Sequence, residues 1–429
     1  MKMRIAIVTY NWPPRNAIGT HRPYAWAKYW ARLGVEVTVL TARKQAFDEP
    51  LDLQLPVLPG VDVQEVESGG SASVFSSSSA GRIAAMMKRV KRGLRSRLGL
   101  VLDPRDAWAR AAATQGAAIA DRVDAVVSTF GPRSSHIIAA QMKRHRPGLL
   151  WVADYRDLWS NNHLAGYSSR AFDRERALEA RTVGSGADVI TTVSRELADQ
   201  QREYLGKPVW VIPNGFDGEI APPAGRLQER RTLRIVYTGM IYPGARDPTP
   251  LLKALRELLD EGRIDGNSLG VDFYGPAEPW LERLVASFDL GPLVRIRGRV
   301  SRAESLASQA NADLLLLLES GSPEAAGVLT GKLFEYLAVN RPILSLGTRR
   351  GFAISRILEE CGSGICVEGD VSLVKQIILG VLAGEPISWF SPNMEAIARY
   401  SRKEQAGCLL ELIRGRLVGS READEVEVP

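Results

Sequence analysis

Cysteine is scarce in this chain of 429 residues: only Cys361, Cys366 and Cys408 occur, with no CxxC pair. That excludes a disulfide-stapled scaffold and fits a reducing cytoplasm. The four histidines, His21, His136, His145 and His163, show no metal-ligand spacing, so no bound metal is expected. No uninterrupted apolar run approaches ~18 residues, which argues against a membrane-spanning helix. The apolar part of the opening, MKMRIAIVTY, is too short for a signal peptide and reads as a first strand. No GxGxxG follows that strand.

What the chain does have is size, apolar content and positive charge. Its length suits two domains, and hydrophobic residues make up 45%, enough for ordinary cores. The net charge of +6 suits anionic partners: sugar nucleotides, anionic lipid or nucleic acid. Nucleic acid is the weakest of these, because the basic residues come without interleaved aromatics.

Continuous apolar runs alternate with amphipathic stretches. Strands are expected at Arg4–Thr9, Val35–Leu40, Val61–Val66, Ala125–Thr129, Leu149–Ala153, Val189–Val193 and Val209–Ile212, with a helix over Tyr24–Leu33. The pattern restarts at Leu233–Thr238. Strands follow at Val271–Tyr274, Val294–Arg297, Asp313–Leu318, Ile343–Leu346 and Gly364–Val367. Uninterrupted apolar strands imply parallel sheets covered on both faces. The expected fold is therefore α/β, with two Rossmann-like domains facing a cleft. Residues 1–217 form the first domain, 218–231 a Pro-, Gly- and charge-rich linker, and 232–385 the second. Helices in 386–429 pack back on the first domain and end in an acidic tail.

One insertion, 68–102, breaks the alternation. Ser68–Gly81 is Ser/Gly-rich and reads as flexible. Arg82–Leu102 holds seven basic residues and no acid, with Ile83, Met86, Met87, Val90, Leu94 and Leu98 able to share a helical face. Such a helix either lies on an anionic membrane surface or packs on the core with a solvated basic side.

The richest stretch is Gly327–Gly347, GVLTGKLFEYLAVNRPILSLG. A loop of small residues enters a short helix, and the N–H groups of Val328, Leu329, Thr330 and Lys332 can hold phosphate oxygens. The Lys332 ammonium adds charge. Glu335, one turn on, can accept hydrogen bonds from sugar hydroxyls. This is the chemistry of a protein that uses activated sugars. In YTGMIYPGARD, Gly239 frees the backbone and Arg246 offers paired N–H donors to a diphosphate. Glu319, at the end of a leucine-rich strand, either contacts ligand or pairs with Lys332.

In the first half, NWPPRNAIGT places Arg15 and Gly19 after the first strand, with His21 and Arg22 just beyond. Gly19 lets backbone approach a donor, and Arg15 faces an acceptor. In TFGPRSSH, Arg133 and His136 are the acceptor-facing residues, and Ser134 and Ser135 read as helix caps. In DYRDLW, Asp154 and Asp157 flank Arg156. The trio is either an ion-pair network or catalytic, with one carboxylate available as a base. VIPNGFD ends the first array as a turn.

Taken together, the PP-loop-Gly, DYRDLW, VIPNGFD, YTGMIYPGARD and TGKLFEYLAVNRPIL make the chain resemble the retaining glycosyltransferases of family 4, with the GT-B fold. The resemblance covers nearly the whole chain. It implies that Glu335 is the second glutamate of the family's EX7E motif and binds ribose. Gly327 stands where the first glutamate would fall, and Glu324, in the same loop, is the available substitute. Met240 occupies the place of a common arginine, Arg246 that of the lysine after it, and Lys332 supplies the second charge. Arg156 replaces a frequent histidine, and RDLW resembles a branch active on bacterial surface polysaccharides. No DxD-type metal motif stands where GT-A enzymes carry theirs.

The implied function is retaining transfer from a nucleoside diphosphate sugar to a glycan or lipid-linked acceptor, without a cofactor. The implied place is the cytoplasm, peripheral on the inner face of the plasma membrane through 82–102. The alternatives are a nucleotide-sugar 2-epimerase of related fold and a non-catalytic sugar-nucleotide-binding protein.

Overall fold

The computed structural model describes residues 2–68, 99–162, 165–222, 232–244 and 246–419. The chain divides into two compact units: one runs to Pro213 and resumes at Arg402, and the other spans Asn214–Ser401.

The first unit is built on a seven-stranded sheet with the order β3-β2-β1-β4-β5-β6-β7. Its strands are β1 (Arg4–Val8), β2 (Glu36–Ala42), β3 (Val61–Val66), β4 (Ala125–Thr129), β5 (Leu150–Tyr155), β6 (Val189–Thr192) and β7 (Val209–Val211). Every neighbouring pair is parallel. Two apolar clusters line the sheet's two faces. One gathers Val8, Val126 and Trp151, the other Ile7, Val127 and Val152. That two-sided burial is why the central strands β1, β4 and β5 read as unbroken apolar runs.

The helix Ile18–Arg32 begins six residues before the expected Tyr24 and runs through Pro23. Its early turns are fixed by tertiary contact rather than propensity. Arg22 is buried there, and it bonds Asp154 and the carbonyls of Ile212 and Pro213. The last helix, Arg402–Val418, packs against this helix, and Trp30 Nε1 donates to the Ala406 carbonyl at 2.8 Å. Met394–Arg399 stays with the second unit, so only the final helix returns to the first.

The second unit carries a six-stranded, all-parallel sheet with the order β10-β9-β8-β11-β12-β13. Its strands are β8 (Leu233–Thr238), β9 (Leu269–Tyr274), β10 (Val294–Gly298), β11 (Leu314–Leu318), β12 (Ile343–Leu346) and β13 (Gly364–Cys366). β11 is five consecutive leucines, all fully buried. Burying each is worth about 1.5–3 kcal/mol, which makes this strand the anchor of the unit.

Of the expected basic helix Arg82–Leu102, residues 82–98 lie outside the described residues, as do most of the linker and the acidic tail. The remaining four, Gly99–Leu102, are not helical. The Val101 carbonyl accepts from Arg133 at 2.9 Å, which draws the chain there into an ion-pair network. Among the described residues, no helix is long and apolar enough to cross a membrane. No group of three or more His, Cys, Asp or Glu among them is placed to hold a metal ion.

Candidate functional site

In open parallel sheets, ligands bind beyond the carboxyl ends of the strands, where the strand order reverses. The second unit reverses between β8 and β11. The residues that follow these strands, Gly239 and Glu319, share one constellation with Lys332, Arg246 and Tyr237.

Lys332 lies at the start of the helix Gly331–Val339. Its Nζ donates to the Tyr237 hydroxyl at 2.9 Å and sits 4.8 Å from the centre of that ring. The Tyr237 hydroxyl in turn donates to the Met240 carbonyl at 2.8 Å. Burial, and then the neighbouring Arg246 charge, lower the Lys332 pKa to about 8. Gly239 has a positive φ of 116°, and a Cβ there would meet Lys332 Nζ at 2.9 Å.

Glu319 is buried, and it pairs with Arg246 rather than with Lys332. Its Oε2 lies 3.4 Å from Arg246 Nε, and its Oε1 accepts from Thr330 Oγ1 at 2.7 Å. Arg246 is braced further by donating to the Met240 carbonyl at 3.0 Å. Because Thr330 spends its hydroxyl on Glu319, no side chain caps the helix that begins at Gly331. Val328 is a correction to the expected amide cradle: its N–H already donates to Ala325 at 3.0 Å. The amides from Leu329 to Lys332 carry what remains of that reading. Glu335 is partly exposed and pairs with Arg302 at 2.9 Å. Glu324 is exposed in a short turn, Pro323–Ala325, ahead of the helix.

In the first unit the order reverses between β1 and β4. Here most of the expected reactive residues prove to be scaffold. Asp154 is fully buried, with both oxygens committed: Oδ1 to Arg22 at 2.7 Å and Thr191 at 2.9 Å, Oδ2 to Arg22 at 3.1 Å and Thr129 at 2.8 Å. A carboxylate so enclosed ties β4, β5 and β6 to the helix Ile18–Arg32 and is no base for a substrate. His136 is also fully buried, packed among Phe130, Tyr155 and Trp159 and bonded to Ser128 at 2.8 Å. Burial lowers its pKa to about 3, so it is a neutral core residue rather than an acceptor contact. Arg133 pairs with Asp106 and Glu175, which raise its pKa, and is not a spare cation for an acceptor.

Arg156 takes the space that bare glycines leave. A Cβ on Gly19 would meet its Cζ at 2.5 Å, and one on Gly131, at φ 95°, would meet its Nη2 at 2.6 Å. Gly19 therefore makes room for Arg156, not for donor backbone contact. The guanidinium donates from Nε to the Phe130 carbonyl at 3.1 Å and lies 3.5 Å from the exposed Asp157.

Arg15 belongs to a group that the sequence did not announce. Arg15, Lys44 and Arg105 all lie over the Tyr10 ring, at 5.7, 5.4 and 5.9 Å. The Tyr10 hydroxyl donates to buried Asp48 at 2.8 Å, and Arg15 donates to Asn11 at 2.7 Å. Asp103 pairs with Arg105 at 2.7 Å. Burial lowers the Lys44 pKa to about 8. Lys44 just after β2 was findable as a strand-end cation; Arg105 carried no local signal.

Residues 23–219 match the model of Glycosyltransferase Family 4. No curated protein matches the chain. Several solved structures share its fold throughout. The apo form of WaaB, a lipopolysaccharide outer core galactosyltransferase, is 12% identical, with 98% of this chain and 100% of that chain covered and a TM-score of 0.56. WaaG, a glycosyltransferase involved in lipopolysaccharide biosynthesis, is 17% identical over 97% and 100%, at 0.54. A candidate UDP-N-acetylglucosamine 2-epimerase from Listeria monocytogenes is 14% identical over 99% of each chain, at 0.50. At these identities the likeness speaks to the fold, which is that of the GT-B glycosyltransferases.

Proposed function

From the match of residues 23–219 to glycosyltransferase family 4 and the GT-B fold, we propose that the chain moves a sugar from a nucleoside diphosphate sugar to an anionic glycan or lipid-linked acceptor. The anomeric configuration is retained, and the product enters a cell-surface polysaccharide.

The observation that carries the donor half is the Lys332 ammonium, held on the Tyr237 hydroxyl beside Gly239 and at the open start of a helix. A leaving diphosphate gains negative charge as the glycosidic bond breaks. A desolvated lysine, Arg246 and uncapped helix amides stabilise that charge. Glu335 takes the ribose hydroxyls and Glu324 the donor sugar. The cations over Tyr10 support an acceptor that carries phosphate or carboxylate. Arg15 and Arg156 are its partners in the first unit, and the exposed Asp157 is the carboxylate left for proton transfer. The basic stretch 82–102 supports an acceptor presented at an anionic membrane surface.

Calorimetry with UDP and GDP tests the donor site. Glu335→Ala weakens nucleotide binding about tenfold, the value of a lost charge-assisted hydrogen bond; an unchanged affinity removes the ribose role. Mass spectrometry tests the reaction with a panel of nucleotide sugars and a membrane extract. A glycoside forms only when the extract is present, whereas epimerised nucleotide sugar from donor alone overturns transfer.

A further inference from the structure

The first unit holds a second constellation, which none of the residues assigned to transfer line. A cavity of about 180 Å³ lies between the helices Ser169–Glu179 and Arg195–Leu205 and the segment that follows Leu158. Leu158, Ser160, Glu179 and Gln201 are buried in its floor. Phe172 and Tyr204 are partly exposed in its wall.

Gln201 is the unusual member. It is only 3% exposed, yet neither its Oε1 nor its Nε2 has a hydrogen-bond partner. A buried primary amide left open in both senses is costly unless something in the cavity meets it. Its neighbour Gln200 is occupied by Asn161, which donates to it at 2.9 Å. Glu179 accepts the Ser160 N–H at 3.0 Å, and burial raises its pKa, with the nearby Glu175 adding to the effect. The carboxyl is thereby held toward its neutral form. Directly after Glu179 the helix widens into a π-helical turn, Ala180–Gly184, a deviation that clusters at functional sites. Arg176 lies over the Tyr204 ring at 4.3 Å and the Phe172 ring at 5.8 Å, holding the aromatic wall in place.

These features select among ligand classes. A phosphate would face the Glu203 carboxylate with Arg176 as the one cation in the lining, and it would offer no donor to the Gln201 Oε1. A purely apolar ligand would leave the Gln201 amide unmet. A neutral polyhydroxy ring supplies hydroxyls that both donate to and accept from Gln201, and C–H faces for Phe172 and Tyr204. The volume is close to that of a cavity of about 150 Å³ that takes one benzene ring, so it is on the scale of one six-membered ring. We propose that this cavity is a carbohydrate-binding subsite that takes one neutral pyranose of a glycan chain. It holds glycan without taking part in transfer, so the claim goes beyond the function proposed above and does not depend on it.

Saturation-transfer-difference NMR on the full chain tests it, with the methyl glycosides of glucose, galactose, mannose and N-acetylglucosamine as probes. At least one glycoside gives ring-proton signals with the wild type. Gln201→Leu and Phe172→Ala each weaken that affinity about tenfold, the scale of one lost hydrogen bond or stacking face, while UDP affinity stays as in the wild type. Should Gln201→Leu fail to fold, Phe172→Ala at the cavity wall carries the test alone. Absence of signal from all four glycosides overturns the assignment, as does signal undiminished in a folded variant.

Discussion

Gly239 and Lys332 are fitted to each other: a single added carbon at Gly239 would come within 2.9 Å of the lysine nitrogen. The backbone there also has a φ of 116°, which disfavours any side chain. Gly239→Ala therefore displaces the ammonium from the Tyr237 hydroxyl. We expect it to weaken UDP or GDP binding about tenfold and to lower stability by about 1–3 kcal/mol. Calorimetry and urea unfolding measure the two effects separately. A loss of stability with full nucleotide affinity would detach Gly239 from the donor site.

The same lysine makes nucleotide binding pH-dependent. With a pKa of about 8, Lys332 is charged at neutral pH and loses its proton well below the ordinary lysine range. The diphosphate stays ionised across this interval, so the sign is fixed by the protein. Affinity is greatest below about pH 8 and declines as pH rises through that value. Lys332→Ala should bind weakly with little pH dependence, because the titrating group is gone. Titrations from neutral to mildly alkaline pH check this; equal slopes for both proteins would assign the effect elsewhere.

The sheets were legible because their central strands are covered on both faces, so Leu314–Leu318 and Ala125–Thr129 read as unbroken apolar runs. The helix start Gly331 was legible from the small-residue loop before it. What could not be read is pairing across distance. Arg22 and Asp154 meet over 132 residues, and no local pattern in DYRDLW separates an ion-pair anchor from a catalytic carboxylate. Arg105 approaches Tyr10 from beyond the long insertion. Gly19 read as a ligand-facing glycine, because the guanidinium of Arg156 that needs its space is equally remote in sequence.

Asp154 separates structure from catalysis. Asp154→Ala leaves the Arg22 charge buried without its partner, a situation that costs about 3–5 kcal/mol. The midpoint of urea unfolding should fall accordingly. The double variant Arg22→Ala/Asp154→Ala should lose less than the two single losses summed, because each single change strands the other group. Additive losses in that cycle would mean the pair does not act as one unit. Loss of activity with unchanged stability would restore Asp154 to the chemistry.

His136 should make the first unit acid-sensitive. Its Nδ1 faces Ser128 Oγ, which also accepts from Trp151 Nε1 at 2.8 Å, so the serine proton points to the imidazole and the neutral ring is the form that fits. Nε2 has no partner. Burial brings the folded pKa to about 3 from an ordinary 6.5. Between those values the unfolded chain binds a proton that the folded chain refuses. Stability from this residue is therefore complete above pH 6.5 and falls as pH drops toward about 3. The slope is about 1.4 kcal/mol per pH unit for one proton, roughly 2 kcal/mol by pH 5. In His136→Phe the ring still packs among Phe130, Tyr155 and Trp159 but binds no proton. Urea midpoints measured from pH 7 to 5 should fall more steeply for the wild type than for this variant, and parallel curves would show that the acid sensitivity has another source.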